Sequence, residues 1–133
     1  MPIALFTSPA NYHDSRLYLP TISGIRIKLN AGRPITRPKL INADSAYDTN
    51  EIREYNRKKG IITNIPLNKR NRKKPRKGRP FKFNKMEYAG RNAIERFFSW
   101  IEANKKIYPR HERLEQSYLG LVMLACSIML WRV

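Results

Sequence analysis

The sequence predicts an α/β protein built around a parallel strand–helix–strand unit, and three observations support this class. Residues 38–66 read as strand, helix and strand in turn. Residues 86–107 carry the strongest helical periodicity, and residues 114–131 form an apolar stretch of helical length. With 133 residues, of which 41% are apolar, the chain has room for one domain with a buried core.

Two short elements are expected before that unit. The apolar run at residues 3–7 ends at Ser8 and Pro9, which predicts a buried strand running into a turn. Capping-type residues at 11–14 precede a helical stretch at residues 15–23. Because Pro20 lies within this stretch, we expect a short or broken helix with a mainly connective role.

The strand–helix–strand unit has recognisable ends. A strand at residues 38–43 leads into Asp44, so this acid lies at the strand's carboxyl edge. Thr49 is a plausible N-cap for a helix at residues 50–59, and Gly60 ends it. A second strand at residues 61–66 follows. This order favours a parallel strand pair.

Basic residues dominate the charge. The chain has 27 Lys and Arg against 10 Asp and Glu, a formal net charge of +17. Nucleic acid is the favoured partner because basic side chains release condensed counterions from phosphates. An anionic membrane surface or ribosomal RNA would fit the charge equally well.

Residues 68–85 form the most basic segment, with two prolines and no acid. Its ten cations are Lys69, Arg70, Arg72, Lys73, Lys74, Arg76, Lys77, Arg79, Lys82 and Lys85. We expect an exposed loop that contacts the DNA backbone. The alternatives are a solvated charge run or a localisation signal.

The predicted helix at residues 86–107 has two stripes. Ile94, Phe97, Phe98 and Ile101 form the apolar one. Tyr88, Arg91, Glu95 and Glu102 form a polar stripe beside it, and Lys106 lies near Glu95 in projection. Arg91 lies one turn before Glu95, and two interpretations fit this pair equally well. Glu95 could be a metal ligand beside a phosphate-binding cation, or the two residues could form a surface ion pair worth a few tenths of a kcal/mol.

The apolar stretch at residues 114–131 predicts a helix packed between other layers. Its apolar part, from Tyr118 to Trp131, is shorter than the ~20 residues that span a bilayer. The single cysteine, Cys126, lies within it and is expected to be a core residue in a reducing cytoplasm. The N-terminal apolar run is too short for a signal peptide.

Two segments resemble catalytic motifs of a known family. The segment from Tyr88 to Trp100 resembles the tyrosine-x2-arginine-x3-glutamate signature of insertion-sequence DDE transposases. The segment from Ala43 to Asp48 is similar to the family's second-aspartate motif. Residues 8–15 also resemble the stretch between the family's first and second acids. The three segments follow one another in the family's order.

This resemblance implies that residues 1–133 are part of a DDE transposase catalytic domain with a ribonuclease-H-like fold truncated at its N-terminal strands. Asp44 and Glu95 would be the second and third catalytic acids and would bind Mg²⁺ or Mn²⁺. Tyr88 and Arg91 would contact DNA near the scissile phosphate. The implied function is metal-assisted DNA strand cleavage and transfer in transposition. The implied partners are transposon ends and target DNA, and the chain could also associate with itself. No membrane partner is implied, and the expected location is the cytoplasm, in association with DNA.

Two departures from the family pattern bear on activity. Glu102 stands where the family has a lysine seven residues after the glutamate, and Lys106 is the substitute. The family's first aspartate lies upstream of the segment at residues 2–7, so we expect it to be missing here, with Asp14 serving as a helix N-cap.

An incomplete set of acids leaves enzymatic activity open, and we expect the isolated chain to be inactive or nearly so. Two alternatives remain: a non-catalytic basic nucleic-acid-binding protein and another nuclease of the same superfold.

Overall fold

Five α-helices, two strands and one 3₁₀ turn make up the part of the chain that the computed structural model describes, namely residues 2–9, 11–29, 32–70, 80–105 and 107–131. In chain order they are α1 (Asp14–Ser23), β1 (Leu40–Asn42), the 3₁₀ turn (Ser45–Tyr47), α2 (Asn50–Lys59), β2 (Ile62–Asn64), α3 (Lys85–Ala89), α4 (Asn92–Glu102) and α5 (Glu115–Trp131). Helices and a small parallel sheet together confirm the mixed α/β prediction.

The strand–helix–strand unit forms as predicted. The hydroxyl of Thr49 accepts the N–H of Ile52 at 3.2 Å and caps α2. At the other end Gly60 has a φ of 66°, a left-handed conformation that glycine adopts without strain. The returning strand β2 then pairs with β1 in parallel, with Asn42 opposite Asn64.

One hydrophobic core lies between α1, α2 and the sheet. Its buried members are Tyr18, Ile52 and Ile65. The hydroxyl of Tyr18 donates to Oδ1 of Asn56 at 2.7 Å, so the buried ring keeps its polar end bonded. The prediction that α1 is mainly connective is therefore wrong. The helix continues through Pro20 to Ser23, because burial of Tyr18 offsets the one backbone hydrogen bond that proline removes.

A second core joins α4 to α5. Its buried residues are Phe97, Ile101, Ile107, Val122, Ala125 and Cys126, none of which belongs to the first core. Burial raises the pKa of the Cys126 thiol, as expected for a core cysteine rather than a nucleophile.

The position of α5 is as predicted, but its burial is not. Only one side of the helix packs on α4. Met123, Leu124, Ile128, Leu130 and Trp131 are exposed, and Trp131 is 91% exposed. The prediction of a helix packed between layers is wrong. Apolar residues all round a helix show that it could be buried, but burial also needs structure packed on both of its sides.

The predicted N-terminal strand is absent from the described residues. Residues 2–9 have no strand partner, and Ile3 and Phe6 are more than half exposed. A strand needs a neighbour for its backbone hydrogen bonds, and the described sheet contains only β1 and β2. The segment instead approaches the last helix, where the Thr7 hydroxyl hydrogen-bonds to Glu115.

The predicted helix at residues 86–107 is two helices, α3 and α4, separated at Gly90 and Arg91. At the junction, backbone N–H groups bond to the carbonyl three residues back, as in Arg91 to Tyr88 at 3.0 Å and Ile94 to Arg91 at 3.0 Å. Glycine favours this interruption because it is a poor helix former.

The second of these helices also ends earlier than predicted. The amide of Asn104 turns back and donates to the carbonyl of Trp100 at 3.1 Å, so α4 stops at Glu102. Of the predicted apolar stripe, Phe97 and Ile101 are buried, whereas Ile94 and Phe98 are about half exposed.

Within the described ranges, no helix has the length and apolar character needed to cross a lipid bilayer.

Candidate active site

Asp44 lies where β1 has just ended. Its backbone is extended, and it caps the 3₁₀ turn by accepting the N–H of Ala46 on Oδ1 at 2.8 Å. This bond engages Oδ1 and leaves Oδ2 as the oxygen that lies nearer Arg91. The side chain is 46% exposed, so it is accessible to a ligand.

Glu95 lies in the first turn of α4, and Arg91 links it to Asp44. One guanidinium nitrogen of Arg91 lies 2.6 Å from Oε1 of Glu95, and another lies 3.9 Å from Oδ2 of Asp44. The ion pair with Glu95 is the i, i+4 surface pair that was one of the two sequence interpretations. The approach to Asp44 is additional, and it brings both predicted acids to one positive charge.

Tyr88 belongs to the same group of side chains. The guanidinium carbon of Arg91 lies 5.6 Å from the centroid of its ring, within the range of a cation–π contact. The ring also packs against Phe83, with 5.1 Å between the ring centroids. Tyr88, Arg91 and Glu95 therefore stay together across the helix break at Gly90.

A buried ion pair that sequence reasoning missed holds the turn after Asp44. Asp48 is 2% exposed and receives Nε of Arg53 at 2.5 Å. Arg53 also donates to the carbonyl of Ile65 at 2.9 Å and stacks on the ring of Phe81 at 3.8 Å. The second oxygen of Asp48 accepts the N–H of Asn68 at 2.8 Å. These bonds tie both ends of the basic segment to the turn that carries Asp44.

Three asparagines, also missed, connect the sheet to α3. The amide nitrogen of Asn64 donates to Oδ1 of Asn42 at 2.7 Å and to the carbonyl of Asn84 at 2.9 Å. Its oxygen accepts the N–H of Asn84 at 2.8 Å. Asn42 in turn donates to the carbonyl of Glu87 at 2.9 Å. We call this set the asparagine ladder. The signal for it in the sequence was an asparagine inside each predicted strand, where a polar side chain is disfavoured without partners.

The segment at residues 8–15 lies near the turn that carries Asp44. Residues 11–13 line a surface hollow together with Ala46 and Thr49. Burial raises the pKa of the Tyr47 hydroxyl, and the negative charges of Asp14 and Asp44 add to the effect. Asp14 itself is not the N-cap, which corrects that prediction. His13 occupies the cap position and Asp14 begins α1, where a negative charge suits the helix dipole.

The predicted DNA-binding cations are described only in part. Lys69 and Arg70 are exposed in the turn that follows β2, and the N–H of Arg70 bonds to Oδ1 of Asn68 at 3.0 Å. Glu102, at the position of the family's lysine, is exposed at the end of α4. The remaining predicted positions, Arg72, Lys73, Lys74, Arg76, Lys77, Arg79 and Lys106, lie outside the described residues.

Asp44 and Glu95 are the acids of this group that could hold a divalent metal. In the described ranges no three or more Asp, Glu, His or Cys side chains gather into one cluster. Asp44 and Glu95 nevertheless offer hard carboxylate oxygens, the ligand type that Mg²⁺ and Mn²⁺ prefer. Both carboxylates already face one cationic group, the guanidinium of Arg91. The ligand chemistry of the pair therefore suits a divalent ion, whose other ligands would have to come from elsewhere.

Comparison with known proteins identifies the family. The family model described as "Transposase DDE domain" matches residues 1–130, almost the whole chain. The chain belongs to this family. The transposase domain is 27% identical over 131 residues to the putative transposase for insertion sequence element IS402 of Burkholderia cepacia, covering 98% of this chain and 57% of that protein.

A second relative is the putative transposase for insertion sequence element IS6501 of Brucella ovis. It is 25% identical over 131 residues, covering 98% of the transposase domain and 88% of the relative. The chain thus spans little more than half the length of the Burkholderia relative. No solved structure matches the chain.

Proposed function

We propose that this transposase domain supplies Asp44 and Glu95 to a site for DNA strand cleavage and transfer on a ribonuclease-H-like fold. One observation carries the proposal. Two acids that are far apart in the chain, one after a strand and one on a helix, converge on the guanidinium of Arg91. An arginine that served only in a helix ion pair with Glu95 would not also need to reach the acid of the other family motif.

The two carboxylates would hold Mg²⁺ or Mn²⁺. The ion would activate the attacking oxygen and stabilise the leaving oxygen of the phosphodiester. Asp44 contributes Oδ2, because its other oxygen is engaged in capping the 3₁₀ turn. Glu95 contributes a carboxylate whose side chain is 56% exposed, so its reorientation toward an ion costs little free energy. Without an ion, the guanidinium of Arg91 offsets the negative charges of Asp44 and Glu95.

DNA would lie over the same face. Arg91 is suited to bidentate phosphate contact once it leaves the carboxylates, and Tyr88 offers a ring face beside it. Lys69 and Arg70 are exposed at the start of the basic segment, whose ends are tied to the turn carrying Asp44. The net charge of +17 supplies the long-range attraction. Transposon ends and target DNA are the proposed partners, and self-association is compatible with this arrangement.

Binding of Mn²⁺ to the whole chain tests the proposal. Free Mn²⁺ is measured by electron paramagnetic resonance in titrations of the wild type, Asp44→Asn and Glu95→Gln. We expect each substitution to weaken Mn²⁺ binding at least tenfold, because each removes one of two anionic ligands. Circular dichroism confirms that the variants are folded.

Glu54→Gln is the matched control. Glu54 forms an i, i+4 pair with Lys58 on α2, and its side chain is 56% exposed, as is that of Glu95. It should leave the Mn²⁺ affinity unchanged. If Glu95→Gln behaved as Glu54→Gln does while DNA affinity remained, the chain would be a non-catalytic nucleic-acid-binding protein and the proposal would be refuted.

A further inference from the structure

We propose that Asn64 is a positioning residue that sets the approach of Asp44 to Arg91 and Glu95. This inference deepens the proposed function and rests on it for its catalytic meaning. The contact between Asp44 and Arg91 itself is a geometric fact that can be tested separately.

The two acids are held by different hydrophobic cores. Asp44 follows β1, whose Ile41 packs on the core of Tyr18, Ile52 and Ile65. Glu95 lies on α4, whose Phe97 belongs to the other core. Since the two sets of buried residues share no member, apolar packing within either core leaves the separation of the acids undetermined.

The asparagine ladder supplies the missing connection. Asn42 lies two residues before Asp44, on the strand that delivers it. At the other end, Asn84 caps α3 by accepting the N–H groups of Met86 and Glu87, and α3 leads directly to Arg91. Asn64 is bonded in both directions and is 2% exposed.

The chemistry at position 64 requires an amide. Both N–H groups donate, one to Oδ1 of Asn42 and one to the carbonyl of Asn84, while the side-chain oxygen accepts the N–H of Asn84. An aspartate of the same shape cannot donate, and its charge would face two acceptor oxygens in a buried position. The substitution would remove the bonds that join Asn42 on β1 to Asn84 at the start of α3.

The arrangement provides an internal control. The ion pair of Arg91 with Glu95 lies within four residues at the start of one helix, so it does not depend on the ladder. The approach of Arg91 to Asp44, at 3.9 Å, crosses from one core to the other. Loss of the ladder should therefore remove the second contact and keep the first.

The primary test is the guanidinium resonance of Arg91 in the metal-free chain, assigned with an Arg91→Lys variant. In Asn64→Asp we expect the Arg91 Nε signal to move to the position that it has in Asp44→Asn, and away from the position that it has in Glu95→Gln. The second variant is Asn42→Ser, at a half-buried position, which breaks the same ladder with less risk to folding and should move the signal in the same way.

The matched control is Asn56→Asp. Asn56 is also fully buried, and its amide also has two partners, Tyr18 at 2.7 Å and Thr63 at 3.0 Å, but it lies within one core. Both asparagine-to-aspartate variants should lose stability in urea. Only Asn64→Asp should shift the Arg91 signal and weaken Mn²⁺ binding, by about fivefold or more, with DNA affinity retained.

The outcomes separate the two proposals. An Arg91 signal that stays at its wild-type position in Asn64→Asp and Asn42→Ser, or that shifts equally in Asn56→Asp, would overturn the positioning role. Absence of Mn²⁺ binding by the wild type would count against the proposed function, while the Arg91 signal would still decide the role of Asn64.

Discussion

Removing the positive charge at Arg91 should strengthen divalent-ion binding while weakening DNA binding. In the structure the guanidinium contacts the carboxylates of both Asp44 and Glu95, so an ion bound by the same two acids would compete with it. The perturbation is Arg91→Gln, which retains a polar side chain and removes the charge. We expect a higher Mn²⁺ affinity and a lower affinity for duplex DNA in the same variant.

The magnitude follows from the exposure of the ion pair. The side chains of Arg91 and Glu95 are 32% and 56% exposed, so their 2.6 Å contact is a solvent-screened pair worth about 0.5 kcal/mol. The contact with Asp44, at 3.9 Å, adds a smaller share. A competing interaction of about 0.5 to 1 kcal/mol corresponds to about a two- to fivefold gain in Mn²⁺ affinity.

Isothermal titration at about 0.1 M salt measures the gain, with Arg110→Gln as the control for net charge. Arg110 stacks on Tyr118 at 4.7 Å, so its loss removes one positive charge without touching the acids. The Mn²⁺ affinity of Arg110→Gln should change by less than about twofold, because exposed charges more than ~10 Å apart are screened at 0.1 M salt. A decrease of Mn²⁺ affinity in Arg91→Gln would refute the reasoning, because it would show that Arg91 supports the ion site.

Two further predictions concern stability. Burial raises the pKa of Tyr18 to about 12, partly opposed by its hydrogen bond to Asn56, whereas the unfolded value is 10.0. The unfolded chain therefore loses this proton first, and the contribution of Tyr18 is complete below pH 10 and declines from pH 10 to about 12. Urea unfolding at rising pH should show a smaller decline in Tyr18→Phe than in the wild type or the exposed control Tyr108→Phe, and equal declines would contradict this. Ile65→Ala should cost about 3 kcal/mol because the side chain is 1% exposed, whereas Ile62→Ala, at a 62% exposed position, should cost less than about 1 kcal/mol. Equal urea midpoints would show that the first core is wrongly assigned.

The strand–helix–strand unit was predictable because its signals are local. Thr49 and Gly60 fix the ends of α2 through their own backbone and side-chain chemistry, and both were identified from the sequence. The parallel pairing follows from element order alone. Asp44 was likewise placed correctly at the end of β1, since a strand's end and the turn that follows are read from neighbouring residues.

The errors arose where an element depends on distant partners. The apolar run at residues 3–7 suggested a strand, but a strand exists only beside another one. The helical periodicity across residues 86–107 concealed the break at Gly90, where the backbone tightens to 3₁₀ bonding while side-chain spacing changes little. The apolar residues of α5 were assigned to the core, although several of them are exposed among the residues that the structure describes.

The candidate site was predicted as a set of residues but not as a geometry. Asp44, Tyr88, Arg91 and Glu95 were selected through the family resemblance, and the structure places them together. The ion pair of Asp48 with Arg53 and the asparagine ladder had no periodic signature, because hydrogen-bonded side chains are matched by shape across the fold. The sequence signal for such contacts is a polar residue within a strand that is predicted to be buried, as with Asn42 and Asn64.

The parallel pairing of β1 with β2 implies an order of assembly. Residues 40–64 close on themselves through α2, so the two strands of this unit are joined by a short connection. The meeting of Asp44 with Glu95 requires a much longer chain segment to close, which carries a greater entropic cost. We therefore expect the carboxylates to come together after the unit that carries Asp44 has formed. The most basic segment of the chain lies between these two acids in sequence, so we expect a polyanion that binds it before folding is complete to affect their meeting rather than the pairing of β1 with β2.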